Sequence, residues 1–276
     1  MSRATVKLEN STATVDLASG TSLAIPLSFD ERQPRFFGAP GARRESLRSG
    51  DWVGDTTQGG SCNAEVLTLT PHCNGTHTEC IGHVVDQEIA VADAAPDGLI
   101  AAILTSIRPE PAGECGDNLP PDLPEGQPVI SRRQLVEALG DINADFLHAV
   151  VIRSLPNTRA KCRRDYGDGE AVAFVTPSAT SWLVERGCEH LLLDLPSLDF
   201  MNDSQLMAHR IFFGLPADSH DIRDARRPQC TITEMIFVPD DCEDGPCLLN
   251  LQIPAFLTDA VPSRPMIYAL TEQEMD

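Results

Sequence analysis

Ala171-Val172-Ala173-Phe174-Val175, followed by Pro177-Ser178-Ala179-Thr180-Ser181-Trp182-Leu183-Val184-Glu185-Arg186-Gly187 and then by Leu191-Leu192-Leu193-Asp194-Leu195, decides the fold. The outer pieces are short apolar runs. The middle piece opens with a proline suited to the first turn of a helix and closes on a glycine. Strand, helix and strand at this spacing imply at least one βαβ crossover, hence parallel pairing. Upstream, Ser131-Arg132-Arg133-Gln134 has the form of a capping box, so a helix starts there and stops at Gly140. Between that helix and the opening stretch, Phe146 to Ile152 reads as a central strand with His148 packed in the core, and Leu99 to Leu104 reads as another buried strand. Downstream, Asp203 or Ser204 caps a short helix through Met207, His209 and Phe212. Thr231 to Val238, Cys247 to Ile253 and Met266 to Leu270 give three more strands.

The first seventy residues are strand-rich: Ala13 to Leu17 alternates, Ser22 to Leu27 is a short apolar run, and Glu65 to Thr70 is a strand. Gln33 to Gly60, rich in Gly, Arg and Asp, reads as a long loop or an arm over a pocket. Phe36, Phe37, Trp52 and the Arg43-Arg44 pair either line a cleft there or belong to a plain surface loop; the arginines would suit a carboxylated substrate. Residues 109–128 are proline-rich and read as a surface excursion rather than a linker. The expectation is one mixed α/β domain over residues 1–276, with 1–60 as variable N-terminal strands and a loop arm.

With 41 acids against 21 bases, the formal net charge is −20, and no basic patch is visible to neutralise phosphates, so no nucleic-acid partner is expected. No run approaches the roughly 18 apolar residues of a membrane helix. Met1 to Asp16 is polar and lacks an apolar signal core, and the nine cysteines are an odd number. A cytoplasmic protein with reduced thiols is expected, Cys242 and Cys247 included. No Gly-x-Gly-x-x-Gly or phosphate loop appears, so no nucleotide cofactor is expected. Ser178 and Ser197 sit beside prolines without a Gly-x-Ser-x-Gly elbow, which argues against a serine nucleophile.

The chemistry concentrates in His72-Cys73-Asn74-Gly75-Thr76-His77-Thr78-Glu79-Cys80-Ile81-Gly82-His83, where three of the seven histidines fall within twelve residues. The cluster begins where a strand ends, a usual place for site residues. His77 and Glu79, two apart, share a face in an extended segment. A turn through Ile81-Gly82 brings His83 back, and Cys73 lies across the Asn74-Gly75 turn. Mixed nitrogen and oxygen ligands suit zinc, and also manganese or iron. With a carboxylate in the set, the ion remains Lewis-acidic and generates hydroxide near neutral pH. The competing readings are a loop with incidental histidines and a structural zinc held by cysteines; the paired short spacings of the latter are absent.

This stretch resembles the signature of the metal-dependent cyclase-like hydrolases, the family of bacterial kynurenine formamidase and isatin hydrolase, whose pattern is His-x-Gly-Thr-His-x-Asp-x-Pro-x-His. Gly75, Thr76, His77 and His83 match in register. Cys73 stands where the first His is expected, with His72 beside it; Glu79 replaces the Asp and Ile81 the Pro. Further stretches fit in order: Pro177 to Gly187 and then Leu191 to Asp199 resemble a helix and a strand ending in Asp-x-Pro-Ser-x-Asp. Ala208-His209-Arg210 resembles the later metal-binding His, and Thr231 to Glu234 the strand carrying a metal-binding Glu. The match covers roughly residues 60 to 270, with an insertion at about 214 to 230.

The resemblance implies a swivelling β/β/α fold with the site in a cleft, a homodimer or larger homo-oligomer, and one or two divalent ions. The implied ligands are Cys73, His77, Glu79, His83, His209 and Glu234, with His72 the alternative to Cys73. Zinc is expected first, because a thiolate is a soft ligand, and manganese second. Asp194 and Asp199 either support the site or simply cap the end of their strand. The activity implied is hydrolysis of an amide-type bond (formamide, lactam or cyclic imide) in a small carbonyl substrate. Metal-bound hydroxide attacks the carbonyl, and His83 or a carboxylate beside the metal, Glu234, moves the proton. The alternatives are an inactive metal- or ligand-binding homologue and a metal-dependent lyase or cyclase.

Overall fold

The computed structural model describes residues 3–7, 12–29, 32–120, 123–167 and 171–273. Residues 1–2, 8–11 and 30–31 of the expected N-terminal region, 121–122 of the proline-rich stretch, and 168–170 and 274–276 lie outside the described residues.

In chain order, the strands of the large sheet are β1 (Arg3–Lys7), β2 (Thr12–Asp16), β3 (Thr21–Ser22), β4 (His77–Cys80), β5 (Leu99–Ile107), β6 (Ala149–Ser154), β7 (His190–Leu193), β8 (Thr231–Glu234), β9 (Gly245–Asn250), β10 (Ala260–Pro262) and β11 (Met266–Gln273). They are ordered β1-β2-β11-β9-β5-β6-β7-β8-β4-β10, with β3 beside β11. Strands β5, β6, β7 and β8 run parallel. β9 and β11 extend one side antiparallel, and β4 and β10 close the other.

β5, β6 and β7 are built on near-continuous apolar runs because both faces are covered, whereas β8 is Thr231-Ile232-Thr233-Glu234. In β6, Val150 and Ile152 join the cluster that holds Leu135, Leu183 and Phe212, while Ala149 and Val151 face Leu23, Leu249 and Ile267. Crossover helices cover the first face. α1 (Arg132–Leu139) carries the expected capping box: the Ser131 hydroxyl accepts from Gln134 N, and the Gln134 side chain accepts from Ser131 N. α2 (Pro177–Glu185) is capped by Thr176, with Pro177 in its first turn. α3 (Met207–Phe213) has its first amides bound by two carboxylates: Asp203 accepts from Met207 N, and Asp199 from Ala208 N and His209 N. No helix of the described residues is long and apolar enough to cross a membrane.

Four expectations change. The strand expected from Phe146 begins at Ala149, because Asn143 caps a 3-10 helix over Ala144–His148; that turn buries Phe146 and Leu147 and leaves His148 exposed rather than packed in the core. The strand expected over residues 171–175 is only Phe174–Val175. It pairs with Pro128–Ile130 in a separate three-stranded sheet, so the crossover of the large sheet runs from β6 through α2 to β7. Gln33 to Gly60 is not a bare loop: Arg43–Ser46 pairs with Glu65–Thr68, and Arg48–Ser49 with Trp52–Val53. Glu65–Thr68 therefore forms an exposed ribbon outside the large sheet. The strand expected to reach Val238 stops at Glu234, where Met235 takes a φ of 50°.

Candidate metal centre

β4 lies between β8 and β10, antiparallel to both. Register sets His77 opposite Glu234 and Glu79 opposite Ile232 and Ala260. Gly75 has a φ of 87°, a conformation that suits glycine, and turns the chain into the strand. The Thr76 hydroxyl fixes the entry by donating to Met235 O (2.6 Å) and accepting from Ile25 N (2.9 Å). His77 and Glu79 leave the same face of β4, as their spacing requires. The sheet neighbours bury both, with His77 0% and Glu79 1% exposed.

Three imidazoles share one arrangement. Each is held from behind by an oxygen acceptor and turns its other nitrogen inward. His77 Nδ1 is 3.0 Å from Gly75 O, which can only accept, so the Nδ1–H donates and Nε2 carries the lone pair. His209 Nδ1 meets Asp199 Oδ2 at 2.5 Å, and its Nε2 lies 2.7 Å from Glu79 Oε1. His72 Nε2 meets Asp259 Oδ2 at 2.8 Å, and its Nδ1 lies 2.8 Å from Glu79 Oε2. Metal-binding histidines are oriented in this way, through the nitrogen that does not bind the ion. His77 Nε2 is fully buried without a hydrogen-bond partner, although Glu234 Oε2 is 3.5 Å away. Leaving a buried polar atom unpaired costs about 1–3 kcal/mol. A cation among these donors would remove that cost, so the residues fit a divalent metal.

Among the described residues, three overlapping sets bring their donor atoms within 4.8 Å of one another: His72, His77 and Glu79; Glu79, His83 and His209; and His72, His83 and Asp259. His83 stacks on His72 with ring centroids 4.2 Å apart, and its Nδ1 is 3.7 Å from Asp259 Oδ2. Glu234 Oε1 accepts from Leu198 N (2.7 Å) and lies 3.7 Å from His209 Nε2. His72, Glu79, His83, His209 and Glu234 line a cavity of about 630 Å³, which Cys73 also lines. Phe36, Phe37, Phe200, Met201 and Leu206 give the same cavity an apolar lining, interrupted by Asn202, Asp203 and Ser204.

The electrostatics follow from burial set against close opposite charges. Burial alone would lower the His72 imidazole, but its bonds to Asp259 and Glu79 outweigh that and raise it to about 10. Burial likewise opposes the charged form of His209, and the Glu79 charge and the Asp199 bond raise it well above the usual histidine value. Burial pushes Glu79 upward, yet the neighbouring histidines hold it well below the carboxylate range. Hydrogen bonds from His72 and His83 depress Asp259. Burial and the Glu234 charge raise the Cys73 thiol. Carboxylates that hold imidazolium this firmly also attract a divalent cation.

The structure gathers His77, Glu79, His83 and His209 into sets whose donor atoms could hold a metal ion, places Glu234 beside them, and leaves Cys73 on the cavity wall outside those sets. Phe36 and Phe37 line the cavity, whereas Trp52 bonds Ser61 within the ribbon and Arg44 pairs with Glu65 at its surface. Asp199 both binds the first amides of α3 and orients His209. Asp194 instead pairs with Lys161 at 2.6 Å. Sequence reasoning missed Asp259. Its one signal was an acid placed directly before a short apolar strand, too common to single out.

A family model described as "Putative cyclase" matches residues 15–200, more than half of the chain. No curated protein matches it in sequence. Among solved structures it is similar to a predicted metal-dependent hydrolase from Bacillus stearothermophilus: 15% identity, TM-score 0.56, over 91% of this chain and 98% of that one. It is also similar to isatin hydrolase A from Labrenzia aggregata: 17% identity, TM-score 0.57, over 91% and 95% of the two chains. Isatin hydrolase A from Ralstonia solanacearum gives 14% identity and a TM-score of 0.55, over 91% and 92%. These likenesses establish the mixed α/β fold.

Proposed function

Since the chain belongs to the cyclase family, we propose that it is a metal-dependent hydrolase that cleaves an amide-type C–N bond in a small carbonyl substrate: a formamide, a lactam or a cyclic imide. The observation that carries this reading is the inward-facing His77 Nε2, buried without a partner beside His72, Glu79 and Glu234. His77, Glu79 and His209, with His72 or Cys73, would hold the ion, and His83 and Glu234 stand beside it. Glu79 belongs to two ligand sets, which suits either one ion or two that share its carboxylate. Nitrogen and oxygen donors favour zinc first and manganese second. A divalent ion there supplies Lewis acidity, polarising a carbonyl and lowering the pKa of water.

The remaining steps belong to the protein. Leu198 N holds one Glu234 oxygen, and the other, 3.5 Å from His77 Nε2, accepts a proton from the attacking water. His83, 28% exposed and on the cavity wall, delivers a proton to the leaving nitrogen. Phe36, Phe37, Phe200 and Met201 receive an apolar or aromatic body and exclude water from it. Among the described residues no Lys or Arg lines the cavity, and Arg43 and Arg44 stand away on the ribbon. An uncharged substrate therefore suits the site better than the carboxylated one those arginines suggested.

The test is to strip the protein with a chelator, restore zinc or manganese, and assay N-formyl aromatics, lactams and cyclic imides. Hydrolysis that returns with the metal and is absent in His77→Ala is the expected result. Firm metal binding without hydrolysis of any of these carbonyls would favour the binding-only reading. Ring closure or elimination in place of water addition would favour a cyclase or lyase, in line with the family's description.

A further inference from the structure

The reading above leaves one ligand place shared between two neighbours in sequence. Resting on that reading, we propose that His72, positioned by Asp259, fills the place the family pattern gives to a histidine at position 73, and that Cys73 is a bystander thiol on the cavity wall.

The local backbone separates the two side chains. Pro71–Cys73 is a single 3-10 turn, with Cys73 N and Asn74 N both bonded to Thr70 O. A helix of three residues per turn rotates consecutive side chains by roughly 120°, so the two cannot aim at one point. His72 takes the inward direction. Its Nδ1 is 2.8 Å from Glu79 Oε2, and it forms a set with His77 and Glu79. Cys73 joins no such set among the described residues.

Asp259 then does for His72 what Gly75 O does for His77 and Asp199 for His209. It holds the outer nitrogen, at 2.8 Å, and so fixes the tautomer and the plane of the ring. The position of Asp259 is itself built into the fold. Its carbonyl accepts from Cys80 N at 3.0 Å, at the end of the strand that carries His77 and Glu79. Gly82 packs directly against it: a Cβ there would sit 2.8 Å from Asp259 Cβ and 2.8 Å from Ile89 O. Glycine at position 82 is thus what lets the aspartate approach. The same carboxylate lies 3.7 Å from His83 Nδ1, so one residue supports two imidazoles of the site. An imidazole in place of a thiolate also changes the metal preference, because the set becomes purely nitrogen and oxygen and loses the soft donor that would disfavour manganese.

The test uses the full chain loaded with cobalt(II), reading metal stoichiometry, titrated affinity and the near-ultraviolet thiolate-to-cobalt band, with folding checked by circular dichroism. The wild type is expected to show no thiolate band. Cys73→Ala is expected to keep stoichiometry and affinity, and His72→Ala to lose an ion or bind it far more weakly. Asp259→Leu should weaken binding by about 10–100-fold. Asp259→Asn, whose carbonyl still accepts the imidazole N–H, should recover most of that loss, which a purely structural role would not produce. A thiolate band that vanishes in Cys73→Ala, or metal lost from Cys73→Ala but kept by His72→Ala, would overturn the assignment. His77→Ala separates the two levels: full metal retention there would sink the metal-hydrolase reading itself.

Discussion

The two ends of β8 each meet a buried histidine, and the two histidines do opposite things. At the first residue of β8, Thr231 pairs with His190; at the last, Glu234 pairs with His77. His190 Nδ1 bonds the Thr231 hydroxyl at 2.9 Å, and burial lowers its pKa to about 4, so it stays neutral in the folded protein. His77 turns a partnerless nitrogen toward carboxylates. Burial therefore does not mark a site; the oxygens around the inward nitrogen do. The His77 end is also the one where parallel β7 and β8 finish and their following loops supply Ser197, Asp199 and Met235, in keeping with the rule that ligands bind beyond the carboxyl ends of such strands.

The contrast breaks first, and by the largest margin, at His77. His77→Ala should reduce metal-dependent turnover by more than about 100-fold, since even the partners that orient metal ligands are worth 10–100-fold. Turnover near the wild-type level would erase the distinction between the two ends.

At the other end the effect is on stability. Folded His190 stays neutral down to about pH 4, whereas in the unfolded chain it protonates near 6.5. Between those values the unfolded state binds more protons, so stability is lost as pH falls from about 6.5 through 4, by about 3 kcal/mol in all. His190→Gln should remove this component, so that urea midpoints at pH 7 and pH 4 lie closer together than in the wild type. Parallel pH profiles would show that burial of His190 carries no such cost.

A smaller effect is expected at Asp199. Asp199→Leu should weaken metal binding by about 10–100-fold in a calorimetric titration, because it removes the bond that orients His209. An unchanged affinity would reduce Asp199 to a helix cap. The smallest effect lies far from both ends: Ser131→Ala should cost about 1 kcal/mol in a denaturant melt through loss of its cap, with metal affinity untouched.

What was legible in the sequence was what local chemistry dictates. The capping box at Ser131, Pro177 in the first turn of α2, and the apolar runs of β5, β6 and β7 all sit where pattern and propensity place them. The face shared by His77 and Glu79 follows from the two-residue period of a strand. What was not legible depends on distant partners. Whether residues 174–175 pair with β7 or with residues 128–130 is settled by tertiary contact. Asn143 displaced the start of β6 through one side-chain bond. Asp259 reaches His72 across 187 positions, and no short motif records that.

The most direct test of the account is a zinc titration of three metal-free proteins: wild type, His77→Ala and His190→Gln. The account predicts that His190→Gln binds like the wild type and that His77→Ala loses stoichiometric binding. Wild-type binding by His77→Ala, or binding lost from His190→Gln while it remains folded, would contradict it.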